Sequence, residues 1–422
     1  MNENAADLLV VSYHLPPYLE PQSILVGRLL DHFPASFRLH VVTADDSGAL
    51  RDSSLYAGLE PKFADQIRIP YAGSLSPMLL RKLMFPVFRV PDDRILWHVK
   101  AYRSIIRKWS SFHFDAILTF SYPLSSNLLG LWLKKAYHVP WVAFFSDPWV
   151  DSPYTNYRLL LKSINNRLER RTMTGADALV FASREMRSAY VRKYPFIEEK
   201  AVVLEHSFDP RQYPEPAADR SGRLTFRYLG TVNRVRTPTA MLTAVGELAG
   251  TKGITDRDAC FEFYGGADIV AGILMSRLRK RYGLERIVVS KGPVPYRESL
   301  AVMQGADVLV VIDADFPGSV FVPSKLMDYI GAGKPVLGIT PLDSATARVI
   351  RETGGWVVSP KDTKGFVDTF LSILDHYRKG TLERFRPSPQ VQERYAIRNH
   401  ADAVVGLVEE TIERARHAAG TP

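Results

Sequence analysis

Cysteine is almost absent from this 422-residue chain, which carries a single one, Cys260. That excludes an internal disulfide and a cysteine-based zinc site, and it agrees with a reducing compartment. Cys260 precedes the apolar run Phe261 to Tyr264 and reads as core filler. Also missing is any run approaching the roughly 18 consecutive apolar residues that a membrane span requires. The first seven residues lack the basic segment that opens a signal peptide, so the expectation is a cytoplasmic protein. No HExxH, GxSxG or metal-ligand spacing occurs, and no GxGxxG follows the first predicted strand. Gly331 to Lys334 imitates part of a phosphate-binding loop. However, Asp328 stands where that pattern wants glycine and Pro335 where it wants Ser or Thr, so the segment reads as a helix C-cap and turn.

What is present is an average globular composition, 46% hydrophobic and 23% charged, in a length that favours two cores over one. The formal charge of +9 speaks to partners rather than to fold. Nucleic acid is not expected, because no helix-turn-helix, zinc-finger or RNP-like pattern accompanies the charge. Residues 76–110 interleave Arg81, Lys82, Arg89, Arg94, Lys100, Arg103, Arg107 and Lys108 with large apolar and aromatic side chains. That mixture suits peripheral contact with an anionic membrane at its inner face, and equally suits amphipathic helices with solvated basic faces.

Short apolar runs alternate with longer amphipathic segments, the signature of βαβ units. Strands are predicted at Leu8–Tyr13, Arg38–Thr43, Asp115–Ser121, Trp141–Phe145, Ala178–Ala182 and Ala201–His206. After a proline-bearing stretch the alternation resumes at Leu224–Leu229, Phe261–Tyr264, Arg286–Ser290, Asp307–Ile312, Pro335–Ile339 and Trp356–Ser359. The expected architecture is α/β, two doubly wound Rossmann-like domains facing a central cleft. The expected boundaries are a domain over 1–208, a linker over 209–222, a second domain over 223–390, and a C-terminal helix over 391–422 that crosses back to the first domain. In open parallel sheets ligands sit beyond the carboxyl ends of the strands. The loops that follow the strands are therefore the candidate sites: His14, Ser121, Asp147 and Trp149 in the first half, and Gly230, Thr231, Arg234, Arg236, Gly265 and Pro295 in the second.

The segment Asp313 to Tyr329 concentrates the chemistry. Ser324 is the predicted helix N-cap, whose first-turn amides attract phosphate. Lys325 adds a cation, and Asp328, one turn on, can accept two hydrogen bonds from a ribose diol. Read from the residues alone, Lys325 and Asp328 fit a solvated helix-start pair just as well.

Pro323 to Leu337 resembles the PxKLxEYLAxGKPVL signature of family-4 (group 1) retaining glycosyltransferases of the GT-B fold. Phe226 to Thr231 with Arg236-Thr237-Pro238, then Gly292 to Pro295 and Ala306 to Leu309, are similar to the same family's donor half. Pro91 to Arg94 with Trp97, and Asp147-Pro148-Trp149, resemble a subgroup acting in bacterial surface-polysaccharide assembly. The resemblance implies transfer of a sugar from a nucleotide-diphosphate donor, UDP- or GDP-linked, to a glycan or lipid-linked acceptor, with retention and with no metal or other cofactor. Arg236 and Lys325 then stabilise the leaving diphosphate. Gly230, Thr231, Arg234, Gly265, Pro295, Ser319, Val320, Pro323, Ser324 and Asp328 line the donor, and His14, Ser121, Asp147 and Trp149 face the acceptor. Three departures stand out. Val320 occupies the place of the first of the family's paired glutamates, Glu20 to Ser23 replace adjacent glycines, and Thr119-Phe120-Ser121 lacks the family's histidine. Two alternatives stay open: a nucleotide-sugar epimerase of the same architecture, and a non-catalytic binding subunit.

Overall fold

The computed structural model describes all residues except 1–4, 46–49, 53–54, 56–57, 71–89, 156, 158, 216–221, 234, 267–268, 271–272 and 421–422. Arg234, the linker residues 216–221, and Arg81, Lys82 and Arg89 of the basic-aromatic stretch therefore lie outside the described residues. The chain divides into two units, Met1–His206 with Ile397–Pro422, and Ser207–Ala396.

The first unit is built on a parallel sheet in the order β3-β2-β1-β4-β5-β6-β7. Its strands are β1 (Ala6–Ser12), β2 (Phe37–Asp45), β3 (Phe63–Pro70), β4 (Ala116–Ser121), β5 (Trp141–Phe145), β6 (Ala178–Phe181) and β7 (Ala201–Val203). The central strands are buried on both faces, as their continuous apolar runs require. A polar seam fixes β4 against β5 and the helix Ser125–Tyr137. Trp141 donates its indole N–H to Thr119 Oγ1 at 2.8 Å, and Thr119 donates to Asn127 Oδ1 at 2.6 Å. The edge strand β3 is not among the expected strands. Its polar alternation, with Asp65, Gln66 and Arg68, leaves it without the apolar run that marks its neighbours.

The second unit carries a six-stranded parallel sheet in the order β12-β9-β8-β13-β14-β15. These strands are β8 (Leu224–Leu229), β9 (Ala259–Tyr264), β12 (Val288–Gly292), β13 (Val308–Ile312), β14 (Val336–Ile339) and β15 (Trp356–Val358), with a short antiparallel pair β10 (Ile269–Val270) and β11 (Ile273–Leu274) outside the sheet. Phe226 and Phe261 stack at 4.5 Å under the helix Thr363–Arg378, whose Phe366 and Phe370 complete that core, and Cys260 is buried there as expected.

The two sheets share one topological feature that positions the sites. In the first, the strand order reverses between β1 and β4; in the second, between β8 and β13. Loops leaving the carboxyl ends of two strands at such a point diverge and open a crevice. The C-terminal segment, expected as one helix from Glu393, is two. Pro389–Tyr395 belongs to the second unit and Ile397–Gly420 to the first. Between them Ala396 is extended and bridges Phe208, so the backbone pairing breaks a pattern that periodicity alone continues.

Candidate functional site

In the second unit the crevice forms where the loops after β8 and β13 part, and the helix Ser324–Gly331 begins at its rim. The helix start differs from expectation. Pro323 is the N-cap, in extended conformation and with no side-chain cap bond, and Ser324 is the first helical residue. A proline fixes its own φ near −65° and has no amide to satisfy, so it can precede the first turn and leave the following N–H groups facing outward.

Lys325 reaches from that first turn to the end of β8. Its Nζ donates to the Leu229 carbonyl at 3.0 Å and lies 4.1 Å from the centre of the Tyr228 ring. An ammonium has three donors, so this anchoring leaves others to meet an anion. The strand end is itself pinned, since Leu229 N–H donates to Tyr329 Oη at 3.0 Å and Tyr228 Oη donates to the Thr231 carbonyl at 2.9 Å. Gly230 has φ +136°, and a Cβ there would lie 2.7 Å from Lys325 Nζ. Gly265, at φ +113°, is pressed against the same loop, and a Cβ on it would come within 2.6 Å of the Gly230 carbonyl oxygen. Both positions thus demand glycine for conformation and for clearance. Together they bring bare backbone beside a cation, which is what close approach of a phosphate needs.

Arg236 is half-buried and closes a turn in which Asn233 accepts from its backbone N–H at 2.8 Å. Across the crevice stands Asp313, the first residue after β13, a buried carboxylate that accepts from Thr340 Oγ1 at 3.0 Å. Burial lifts its pKa above the usual range, against the pull of the Thr346 and Thr340 hydroxyls and of the Arg236 and Lys325 charges. Asp313 is the residue that sequence reasoning missed. Sequence reasoning places it only at the head of the segment Asp313 to Tyr329 and gives it no role of its own. The available signal was its place immediately after the central strand of the sheet.

Asp328 is buried on the inner side of its helix, where Tyr296 Oη donates to Oδ1 at a long 3.4 Å and Tyr213 Oη donates to the Asp328 carbonyl at 2.8 Å. Ser319 accepts Ala345 N–H on its carbonyl at 2.8 Å, Val320 is half-buried, and Pro295 is the N-cap of the helix Tyr296–Gln304.

In the first unit the loops after β1, β4 and β5 meet. His14 and Asp147 are half-buried there, and Ser146 Oγ donates to Gln22 at 3.0 Å, tying the loop after β5 to the helix Pro21–Asp31. Ser121 and Trp149 stand elsewhere than expected. The Ser121 hydroxyl is buried and donates to the Phe144 carbonyl at 3.0 Å. Trp149 is fully buried, with its indole N–H donated to Asn165 at 2.9 Å. Both serve the interior of the unit, Ser121 at the end of β4 through a carbonyl of β5 and Trp149 through Asn165 of the helix Leu159–Gly175. Exposed in the same region is Tyr122, whose phenol is pushed up to about 12, first by burial of its oxygen and then by Asp92 and Asp93. Beneath it, Asp92 accepts from Ser125 N–H and Oγ, and Ser125 Oγ lies 2.7 Å from His98 Nδ1. Burial holds the His98 imidazole down at about 3, so it is neutral.

Residues 22–212 match the description of Glycosyltransferase Family 4. A curated relative, the Pseudomonas aeruginosa protein named "Probable glycosyltransferase WbjE", is 25% identical over 311 residues, which is 70% of this chain and 74% of the relative. Among solved structures, sucrose-phosphate synthase from Thermosynechococcus elongatus superposes with a TM-score of 0.70 at 16% identity, covering 97% of this chain and all of its own. Anabaena HepE, in complex with UDP-glucose, superposes at 0.64 and 12% identity over 96% of this chain and 99% of its own. A Listeria monocytogenes protein described as a "putative UDP-N-acetylglucosamine 2-epimerase" superposes with a TM-score of 0.62 at 10% identity over 97% of each chain. The fold is GT-B, two Rossmann-like units in one chain.

The basic-aromatic stretch is described from Val90 onward. Over the helix Ile95–Trp109, Trp97 and Trp109 are buried, donating to the Ile69 carbonyl and to Asp65. Lys100, Arg103 and Arg107 occupy the exposed face. The tryptophans are core, so this helix has a solvated basic face and no aromatic anchor of its own to sink into a bilayer.

Proposed function

We propose that this glycosyltransferase moves a hexosyl or related sugar from a nucleoside-diphosphate donor to a glycan or lipid-linked acceptor. In this reading it retains the anomeric configuration, uses no metal or other cofactor, and serves surface-polysaccharide assembly on the cytoplasmic side of the membrane. The observation that carries the reading is Lys325, anchored on the Leu229 carbonyl and beside the cleared backbone of Gly230 and Gly265.

As the glycosidic bond breaks, negative charge grows on the leaving diphosphate, so fixed cations there favour the transition state over the ground state. Lys325 and Arg236 supply them, and the outward amides of the first turn from Ser324 add a dipole of the same sign. Asp313 is a positioning residue. Its buried carboxylate draws both cations toward the crevice and balances their charge before the donor arrives. Asp328 accepts from the ribose hydroxyls. UDP is the first base to try, on the analogy of HepE with UDP-glucose. His14 and Asp147, with Tyr122, form the acceptor side.

The test is to incubate the protein with a panel of nucleotide sugars, with and without membrane lipid extract, and to follow nucleotide release. Release that depends on the extract supports transfer. Conversion of the sugar without any acceptor supports the epimerase reading, and binding without turnover supports an inert subunit.

A further inference from the structure

The helix Leu159–Gly175 in the first unit presents an outer face unlike any ordinary solvated surface. At about 100° per residue, Leu159, Leu160, Lys162, Ser163, Arg167, Arg170, Arg171 and Thr174 fall on one side of it, and all eight are exposed. Leu159 and Leu160 are 90% and 73% exposed, with Leu50 the most open large aliphatics among the described residues. Four cations share their arc. The helix has one acidic residue, Glu169, and that carboxylate is buried and bound by Lys193 at 2.6 Å. None of Lys162, Arg167, Arg170 or Arg171 forms an ion pair among the described residues. Beside them Phe196 is 48% exposed with the Arg170 guanidinium 5.8 Å from its ring centre, at the edge of an open groove of about 510 Å³ that runs from Leu159 to Tyr194.

Exposed leucines and a phenylalanine cost free energy in water, and a one-sign cluster of cations costs more through its own repulsion. One environment relieves both. We propose that this face docks on an anionic lipid bilayer, with Leu159, Leu160 and Phe196 entering below the headgroups and Lys162, Arg167, Arg170 and Arg171 meeting the phosphates. The arrangement of apolar tips ringed by basic groups is that of an interfacial helix. It places the membrane contact on this helix and not on Ile95–Trp109, whose tryptophans are spent in the core.

The full-length protein is mixed with vesicles of phosphatidylcholine alone or containing phosphatidylglycerol, and co-sedimentation is measured. The wild type should bind the anionic vesicles and leave the neutral ones. Replacing Arg167, Arg170 and Arg171 with Gln should weaken binding about fivefold per charge, and Leu159→Ser with Leu160→Ser should weaken it comparably. Changing Lys100, Arg103 and Arg107 to Gln should leave it nearly unchanged. All positions are exposed, and an unchanged thermal transition in each variant confirms folding. The proposal is overturned if the wild type ignores anionic vesicles, if it binds neutral ones equally, or if only the Lys100, Arg103 and Arg107 variant loses binding.

Discussion

Lys325 stands at the junction of three constraints: the helix start behind it, the Leu229 carbonyl in front, and the Tyr228 ring beneath. Lys325→Ala should lower turnover about 100- to 1000-fold, the usual loss for one donor aimed at developing charge. Its thermal transition should move little, because a half-buried ammonium adds little to stability. Steady-state kinetics alongside a melting curve checks both. Gly265→Ala should behave in the opposite manner. With φ at +113° and the Gly230 carbonyl in the way, the new methyl strains the backbone by about 1–3 kcal/mol. Calorimetry should show a lowered transition, and donor binding should weaken with it. Lys325 was singled out in the sequence by the resemblance of Pro323 to Leu337 to a family signature, since the residues alone fit a solvated helix start just as well. Asp313 was not, since only burial distinguishes it from Asp315, which pairs with Lys361 at the surface. Ser121 and Trp149 were misplaced for the complementary reason. Sequence locates a loop after a strand, yet whether its side chains face solvent depends on partners such as Phe144 and Asn165 that are remote along the chain.

At the scale of elements, twelve strands were readable as apolar runs. The edge strand β3 and the break at Ala396 were not, because each is set by backbone pairing with a distant segment. The helix Ile95–Trp109 shows a further limit. Its basic and aromatic residues were visible, but which of them faced inward followed from Asp65 and Ile69 on the neighbouring strand. That helix also carries a pH signature. His98 is buried on it and titrates near 3, whereas in the unfolded chain it would titrate near 6.5. Between those values the unfolded state binds more protons, so the stabilisation is whole above about pH 6.5 and is lost as pH falls. The slope should approach about 1.4 kcal/mol per pH unit from this group, and denaturant titrations at several pH values should find it reduced in His98→Gln. Trp149→Ala should cost about 3–5 kcal/mol by emptying a core site, with no selective rise in the KM for acceptor, as befits a residue bound to Asn165 inside the unit.

Across the whole molecule, two doubly wound units each reverse strand order once, and each reversal carries candidate groups for the proposed chemistry. The second gathers Lys325, Arg236 and Asp313 around cleared backbone; the first gathers His14, Tyr122 and Asp147 on its loops. On the metal-free mechanism proposed above, Lys325 and Arg236 supply the positive charge that a divalent ion supplies elsewhere, so chelation with EDTA should leave turnover within about twofold of its starting value, where loss of a charge-stabilising group costs far more. The most direct test of the account is release of nucleoside diphosphate from UDP-sugars and GDP-sugars in the presence of membrane lipid extract, run beside Lys325→Ala. The account predicts extract-dependent release from at least one donor and its near-complete loss in the variant. Release that is absent for every donor, or that persists undiminished without Lys325, contradicts it.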